Sequence, residues 1–255
     1  MALFTDGPIN GTTDLQNYEN AILDVASTEK IDLSGKIALA QDEIASELTL
    51  FLLRRLPLRD FQWTLRRSVG VSDVAVTASL RQWHAHKALA LVYRDAFNSQ
   101  LNDRYRSKWK EYEQLAKTSS QNYFQIGVGL VAGPIPKAAV PLVATLPGAG
   151  PAATYYVAVA WLNQAGQEGG ASDTAQISTS NGQQLVVEAQ TPPANVTGWN
   201  AYVGNAPDTI SLQNAGPIAA GSSWTMPVGL KRGRRPGQGQ QPTSFLVDQH
   251  VMERG

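Results

Sequence analysis

Apolar residues recur every three or four positions along the first half of the chain and at alternate positions along much of the second, so two architectures are predicted in succession. After candidate N-caps at Thr13 and Asp14, Leu15, Tyr18, Ile22 and Val25 follow helical spacing. Asp32 and Ser34 offer a second cap. Ile37, Ile44 and Phe51 then repeat at heptad spacing with Ala40 and Leu48 beside them, and this helix ends before Pro57. Asp73 or Ser72 caps a third segment from Val74 to about Phe97, rich in Ala and Leu, with Trp83 near its middle. Asn102 or Asp103 opens a fourth, in which Tyr105, Trp109, Tyr112 and Ala116 form one stripe and Arg104, Arg106, Lys110 and Glu111 lie opposite. Four such helices can bury one bundle core.

From residue 155 the period falls to two. Tyr155, Val157, Val159 and Trp161 share one face of a strand, with Tyr156, Ala158, Ala160 and Leu162 on the other. Further strands are predicted at Thr174–Thr179, Gln184–Ala189, Trp199–Val203 and about Ser223–Pro227, separated by turn chemistry at Asn163–Gly170, Ser180–Gly182 and Pro192–Asn195. The fold class is α+β in separate domains: an N-terminal helical bundle followed by a small β-sandwich.

Charge sharpens the division. The 255 residues carry 21 Lys+Arg and 21 Asp+Glu, yet residues 138–230 contain no Lys or Arg and only four acids, Glu168, Asp173, Glu188 and Asp208. The shift falls where Pro134, Pro136 and Pro141 interrupt regular structure. The chain has no cysteine, which removes disulfides, thiol nucleophiles and cysteine zinc sites. The N-terminus lacks the basic and apolar regions of a signal peptide, and the apolar runs are too short to span a bilayer.

Two stretches fit neither domain simply. Arg54–Gly70 is too apolar for a plain linker and too rich in arginine for a core. Two readings stay open: a loop whose Leu and Trp side chains pack back on the helices, or a protein–protein contact. At the other end Lys231, Arg232, Arg234 and Arg235 precede a Gly/Gln/Pro spacer and then the apolar residues Phe245, Leu246 and Val247. An apolar end of this kind is expected to dock rather than stay in water.

Asp103-Arg-Tyr-Arg-Ser-Lys-Trp-Lys-Glu-Tyr112, following Leu91-Val-Tyr-Arg-Asp-Ala-Phe97, resembles the helical head–tail connector (adaptor) proteins of tailed bacteriophages. In that pattern early short helices precede two longer ones, and the resemblance covers about residues 14–122. Tyr155–Asp173 together with Gly198-Trp-Asn-Ala-Tyr-Val-Gly204 resembles fibronectin type III or immunoglobulin-like (Ig-like) modules. With the boundaries that charge and proline mark, the chain divides into four segments: an N-terminal arm 1–13, a helical connector domain 14–133, a β-sandwich 138–229 and a C-terminal docking tail 230–255. The resemblance implies a structural virion protein at the capsid vertex. Family members form a ring, typically of twelve copies, bind the portal, meet tail or nozzle proteins, and extend the channel through which DNA passes in transient, sequence-independent contact. On that reading Lys231, Arg232, Arg234, Arg235, Phe245, Leu246 and Val247 contact the portal or a neighbouring copy. Arg54, Arg55, Arg66 and Arg67 line the lumen or a subunit interface.

No catalytic residue, metal or cofactor is expected. His84 and His86 lie two apart, on different helix faces, as do Glu111 and Glu113. The sequence has no nucleophile elbow or phosphate-binding loop, and Gly127–Gly133 runs into Pro134 instead of a helix. Asn195-Val-Thr197 matches a glycosylation acceptor but reads better as a turn. The alternative function is a carbohydrate-binding or host-adhesion module on a helical stalk. It requires Trp161, Trp199, Tyr202 and Trp224 to form an exposed patch, whereas a sandwich core would bury most of them.

Overall fold

The computed structural model describes residues 2–55, 69–100, 103–237 and 239–247. The chain forms two compact units that share its termini. One comprises Met1–Asp6 with Gly133–Gln241, the other Gly7–Ala132 with Pro242–Gly255. The segment read as an arm, 1–13, and the segment read as a tail, 230–255, are each divided between the units.

The helical unit contains α1 (Thr12–Tyr18), α2 (Ile22–Glu29), α3 (Leu33–Arg55), α4 (Ala78–Gln100) and α5 (Arg106–Ile126). The first predicted helix is two helices in the structure. Gly11, not Thr13, is the N-cap of α1, and its N–H donates to Asp14 Oδ2 at 2.8 Å. The break falls at Glu19, whose backbone is extended. The third helix begins later than predicted. Thr77 Oγ1 accepts from Leu80 N–H, while Asp73 instead closes a 3-10 turn at Val71–Asp73 by accepting from Gly70 N–H. The β-branched Val74 is drawn into an antiparallel bridge with Leu130.

The helices α4 and α5 form an antiparallel hairpin. Trp83 meets Tyr123, His86 meets Ser119, Tyr93 stacks on Tyr112 and Phe97 stacks on Trp109. The predicted α5 stripe lies in this seam: Tyr105, Tyr112 and Ala116 are buried and Trp109 is half-buried, while Arg104, Arg106, Lys110 and Glu111 face solvent. Leu15, Ile22, Ile37 and Ala40 close the core over Ala85, Ala88, Leu89 and Val92. A small sheet ends the unit. β1 (Val128–Leu130), directly after α5, pairs with the strand Ser244–Leu246, the tenth among the described residues and labelled β10.

The β unit has two antiparallel sheets around a common core. Its strands are β2 (Leu142–Pro147), β3 (Ala153–Leu162), β4 (Ala175–Thr179), β5 (Gln183–Glu188), β6 (Gly198–Gly204), β7 (Ser211–Leu212), β8 (Ile218–Ala219) and β9 (Ser223–Thr225). One sheet runs β2-β5-β9. The other runs β4-β3-β6-β7, with β8 also on β6. The larger face of β3 (Tyr155, Val157, Val159, Trp161) packs with Leu185 and Val187 of β5 and Trp199, Ala201 and Val203 of β6. The small face, Ala158 and Ala160, is covered with Tyr202 in a second cluster. Leu3 and Phe4 are buried in this unit, and Asp6 accepts from Lys137 N–H at 2.7 Å.

Candidate functional site

The basic cluster does not hang free on its spacer. Gln213 grips Lys231: its Oε1 accepts from Lys231 N–H at 2.8 Å, and its Nε2 donates to the Lys231 carbonyl at 2.9 Å. Leu212 N–H donates to the Arg234 carbonyl at 2.9 Å, so residues 231–235 run along the β7 edge. Arg234 NH1 lies 2.7 Å from Glu168 Oε2 and its guanidinium sits over the Tyr202 ring. Glu168 in turn accepts from Tyr202 Oη and Asn200 Nδ2. Burial and Glu168 push the Tyr202 hydroxyl pKa well up, against the opposing pull of Arg234 and Asn200. Arg234 is thus committed within the unit, and Lys231, Arg232 and Arg235 are exposed.

The sequence carries part of the signal for this latch: a stretch with four acids and no base has its nearest cations at its flanks. Lys137 pairs with Asp173 at 2.6 Å, as Arg234 does with Glu168. A methyl group on Gly233 would fall 2.3 Å from the Leu212 carbonyl oxygen. Gly233→Ala is therefore expected to lift residues 231–235 off β7 at a cost of about 1–3 kcal/mol. Faster hydrogen exchange at the Leu212 amide is the readout, and unchanged protection there would contradict the latch.

Phe245 and Leu246 lie in β10 on β1, with Phe245 53% exposed and Leu246 half-buried; Val247 beside them is exposed. Arg54 is exposed near the end of α3. Arg55 ends that helix, but its side chain, like Arg66 and Arg67, lies outside the described residues.

A polar cluster that the sequence did not indicate sits where α1 gives way to α2. Glu19 accepts from Lys108 Nζ at 3.0 Å and from Tyr112 Oη at 2.9 Å. Burial alone would raise the Glu19 pKa, but these donors outweigh it and hold the carboxyl below its ordinary range. Burial and the Glu19 charge push the Tyr93 hydroxyl up to about 12. The two histidines are interior. His84 Nε2 donates to the Ile37 carbonyl at 3.1 Å, which leaves Nδ1 to accept from Asn10 Nδ2 at 3.0 Å. His86 Nδ1 lies 2.8 Å from Ser119 Oγ, and both residues are buried, which keeps substrate from that hydroxyl. Burial lowers the pKa of both imidazoles. Among the described residues no group of three or more acidic, His or Cys side chains is placed to hold a metal, and no helix is long and apolar enough to cross a membrane.

Of the four aromatic side chains that a sugar-stacking patch would need, Trp161, Trp199 and Tyr202 are buried and Trp224 is half-buried. Asn195 Nδ2 donates to the Pro134 carbonyl at 2.9 Å, as a turn residue would. No protein-family model, curated protein or solved structure matches this chain. The surfaces must therefore be read from their own chemistry. An open groove of about 300 Å³ lies over α4 between α3 and α5. Lys87 bridges Glu43 and Glu47 on one wall, with Arg94 on the floor and Trp109, Glu113 and Lys117 on the other wall. Its charges alternate in sign, which suits contact with another mixed-charge protein surface better than capture of a small ion.

Proposed function

We propose that the chain is a structural virion protein. Copies stand side by side in a head–tail connector ring, bind the portal and extend the DNA channel towards the tail. The observation that carries this reading is the outer side of α3. Ile37, Ala40, Ile44 and Leu48 turn that helix's apolar stripe to the core, yet Leu39, Leu50 and Leu53 recur on the side away from it and are exposed, Leu53 by 66%. Exposed Asp42, Ser46 and Thr49 lie among them, so this side of the 23-residue helix is a mixed surface whose three leucines favour a second protein cover. The resemblance of the α4–α5 sequence to phage connectors supplies the kind of cover, a like copy in a ring. Balanced charge on the helical unit permits repeated packing, because a one-signed subunit would repel its neighbours.

The β unit is read as an Ig-like appendage carried on the neck. The order β4-β3-β6-β7, with β2 beside β5 in the facing sheet, follows the C′-C-F-G and B-E adjacencies of that fold. β9 takes the place next to E although it follows every other strand of the β unit in sequence. Residues 138–230 hold no Lys or Arg, and the flanking Lys137 and Arg234 are already paired with Asp173 and Glu168, so away from the exposed Lys231, Arg232 and Arg235 this unit offers little to phosphate. Arg54 with Arg55, Arg66 and Arg67 remains the lumenal candidate. The test is electron microscopy of the purified chain with and without portal rings. Closed rings, alone or seated on the portal, are expected. Glycan binding by a small oligomer would favour an adhesion module instead.

A further inference from the structure

β10 is held almost wholly by its main chain. Ser244, Phe245 and Leu246 face Leu130, Gly129 and Val128, and Thr243 N–H donates to the Leu130 carbonyl at 2.8 Å. Thr243 Oγ1 accepts from Ala132 N–H at 2.9 Å. Side-chain burial adds little, because Ser244 and Phe245 are exposed. Each such hydrogen bond contributes only about 0.5–1.5 kcal/mol net, so this strand belongs to the part of the unit that opens most easily.

The edge that receives it is shaped for an extended chain. Gly127 has φ +110°, and a methyl there would lie 3.0 Å from Val247 Cγ1 and 3.2 Å from Phe245 Cβ. A methyl on Gly129 would lie 3.0 Å from Pro242 Cγ. Both glycines leave room for residues 242–247 to lie against bare backbone. Nothing in that recognition depends on which copy supplies the strand.

The chain leading to the strand is fastened close to it. Residues 231–235 hold to β7, and Gln240 is buried with its Oε1 accepting from Ile135 N–H at 2.6 Å. One exposed residue, Gln241, separates that anchor from Pro242, whose φ is fixed by its ring. A hinge this short favours exchange of a terminal element between copies over repeated opening and closing within one.

We propose that β10 is an exchange strand whose partner is a second copy of this chain. In the assembly, residues 242–247 of one copy occupy the β1 edge of the next. The same hydrogen bonds form within or between copies, so concentrating copies in an assembly shifts the balance towards exchange. Each copy gives one strand and receives one, a head-to-tail contact that closes when the rotation between copies does. This proposal rests on the ring reading above, and it assigns the strand that links the ring.

The absence of native cysteine makes the test clean. Leu130→Cys with Ser244→Cys places two thiols directly opposite across the ladder, within disulfide reach. The reduced double variant is assembled, oxidised and run under denaturing, non-reducing conditions, with Ser244→Cys alone as the control. A ladder of covalently joined chains in the double variant only is the expected result. Rings by microscopy with internally bridged single chains would overturn the exchange and leave the ring reading standing. Single chains with no oligomer at any concentration would overturn both. Val128→Cys with Leu246→Cys repeats the experiment two ladder positions away, in case the first pair disturbs folding.

Discussion

Trp199→Ala is expected to destabilise the β unit by about 3–5 kcal/mol, the range for removing a fully buried large aromatic side chain. Trp199 is opposite Trp161 in the β3–β6 register and packs in the core with residues of both sheets, Leu185 and Val187 of β5 among them. Its loss removes contact area and leaves a cavity where the two sheets meet. The indole Nε1 has no hydrogen-bond partner among the described residues, so the side chain is kept for its bulk rather than its donor. Trp199→Phe removes the unpaired N–H along with some volume and is expected to cost clearly less than the alanine variant. Hydrogen exchange at β3 and β6 amides reads the effect within this unit alone. A loss below about 1 kcal/mol for Trp199→Ala would contradict a shared core.

Acid is expected to loosen the helical unit in two windows. His84 and His86 have folded pKa values below the ordinary 6.5, so the unfolded chain binds protons more readily. Their contribution is complete above about 6.5 and is lost as pH falls from there towards the lowered folded values. The imidazoles' direct partners are Asn10, the Ile37 and Leu115 backbones and Ser119, with the Tyr18 and Tyr112 rings beside His86, while Glu19, Lys108 and Glu111 share the cleft that His86 borders. Glu19 also has a lowered folded pKa, so its contribution stands above the ordinary carboxylate value of 4.5 and is lost below it. Glu19→Gln is expected to cost about 1.5–3 kcal/mol at pH 7, the range for a charge-assisted hydrogen bond, and to flatten the lower window only. Thermal melts from pH 7 to pH 3 check both. A flat profile between pH 7 and 5 would contradict the interior placement of the histidines.

What the sequence revealed and what it hid divide along a physical line. The seam of α5 and the two-sided β3 were legible because single-element periodicity records which face is buried. The break between α1 and α2 was not, because no Gly or Pro marks it. Glu19 is held instead by Lys108 and Tyr112, some ninety residues away. β2 was missed because Leu142 and Leu146 point outward while Val143 and Thr145 turn inward, so its apolar residues give no inward alternation. β10 and its partner β1 have three residues each, too few for any period to show. Among the candidate residues the basic cluster was visible as composition. The use of Arg234 as a latch depended on Glu168, sixty-six positions earlier, and only the fold brings the two together.

Sedimentation of the purified chain over a wide concentration range, repeated with portal rings present, weighs the assembly reading as a whole. A discrete high-order species that grows with concentration, or that co-sediments with the portal, is what side-by-side packing through α3 and a traded terminal strand require. A monomer at every concentration that leaves portal rings bare would refute it.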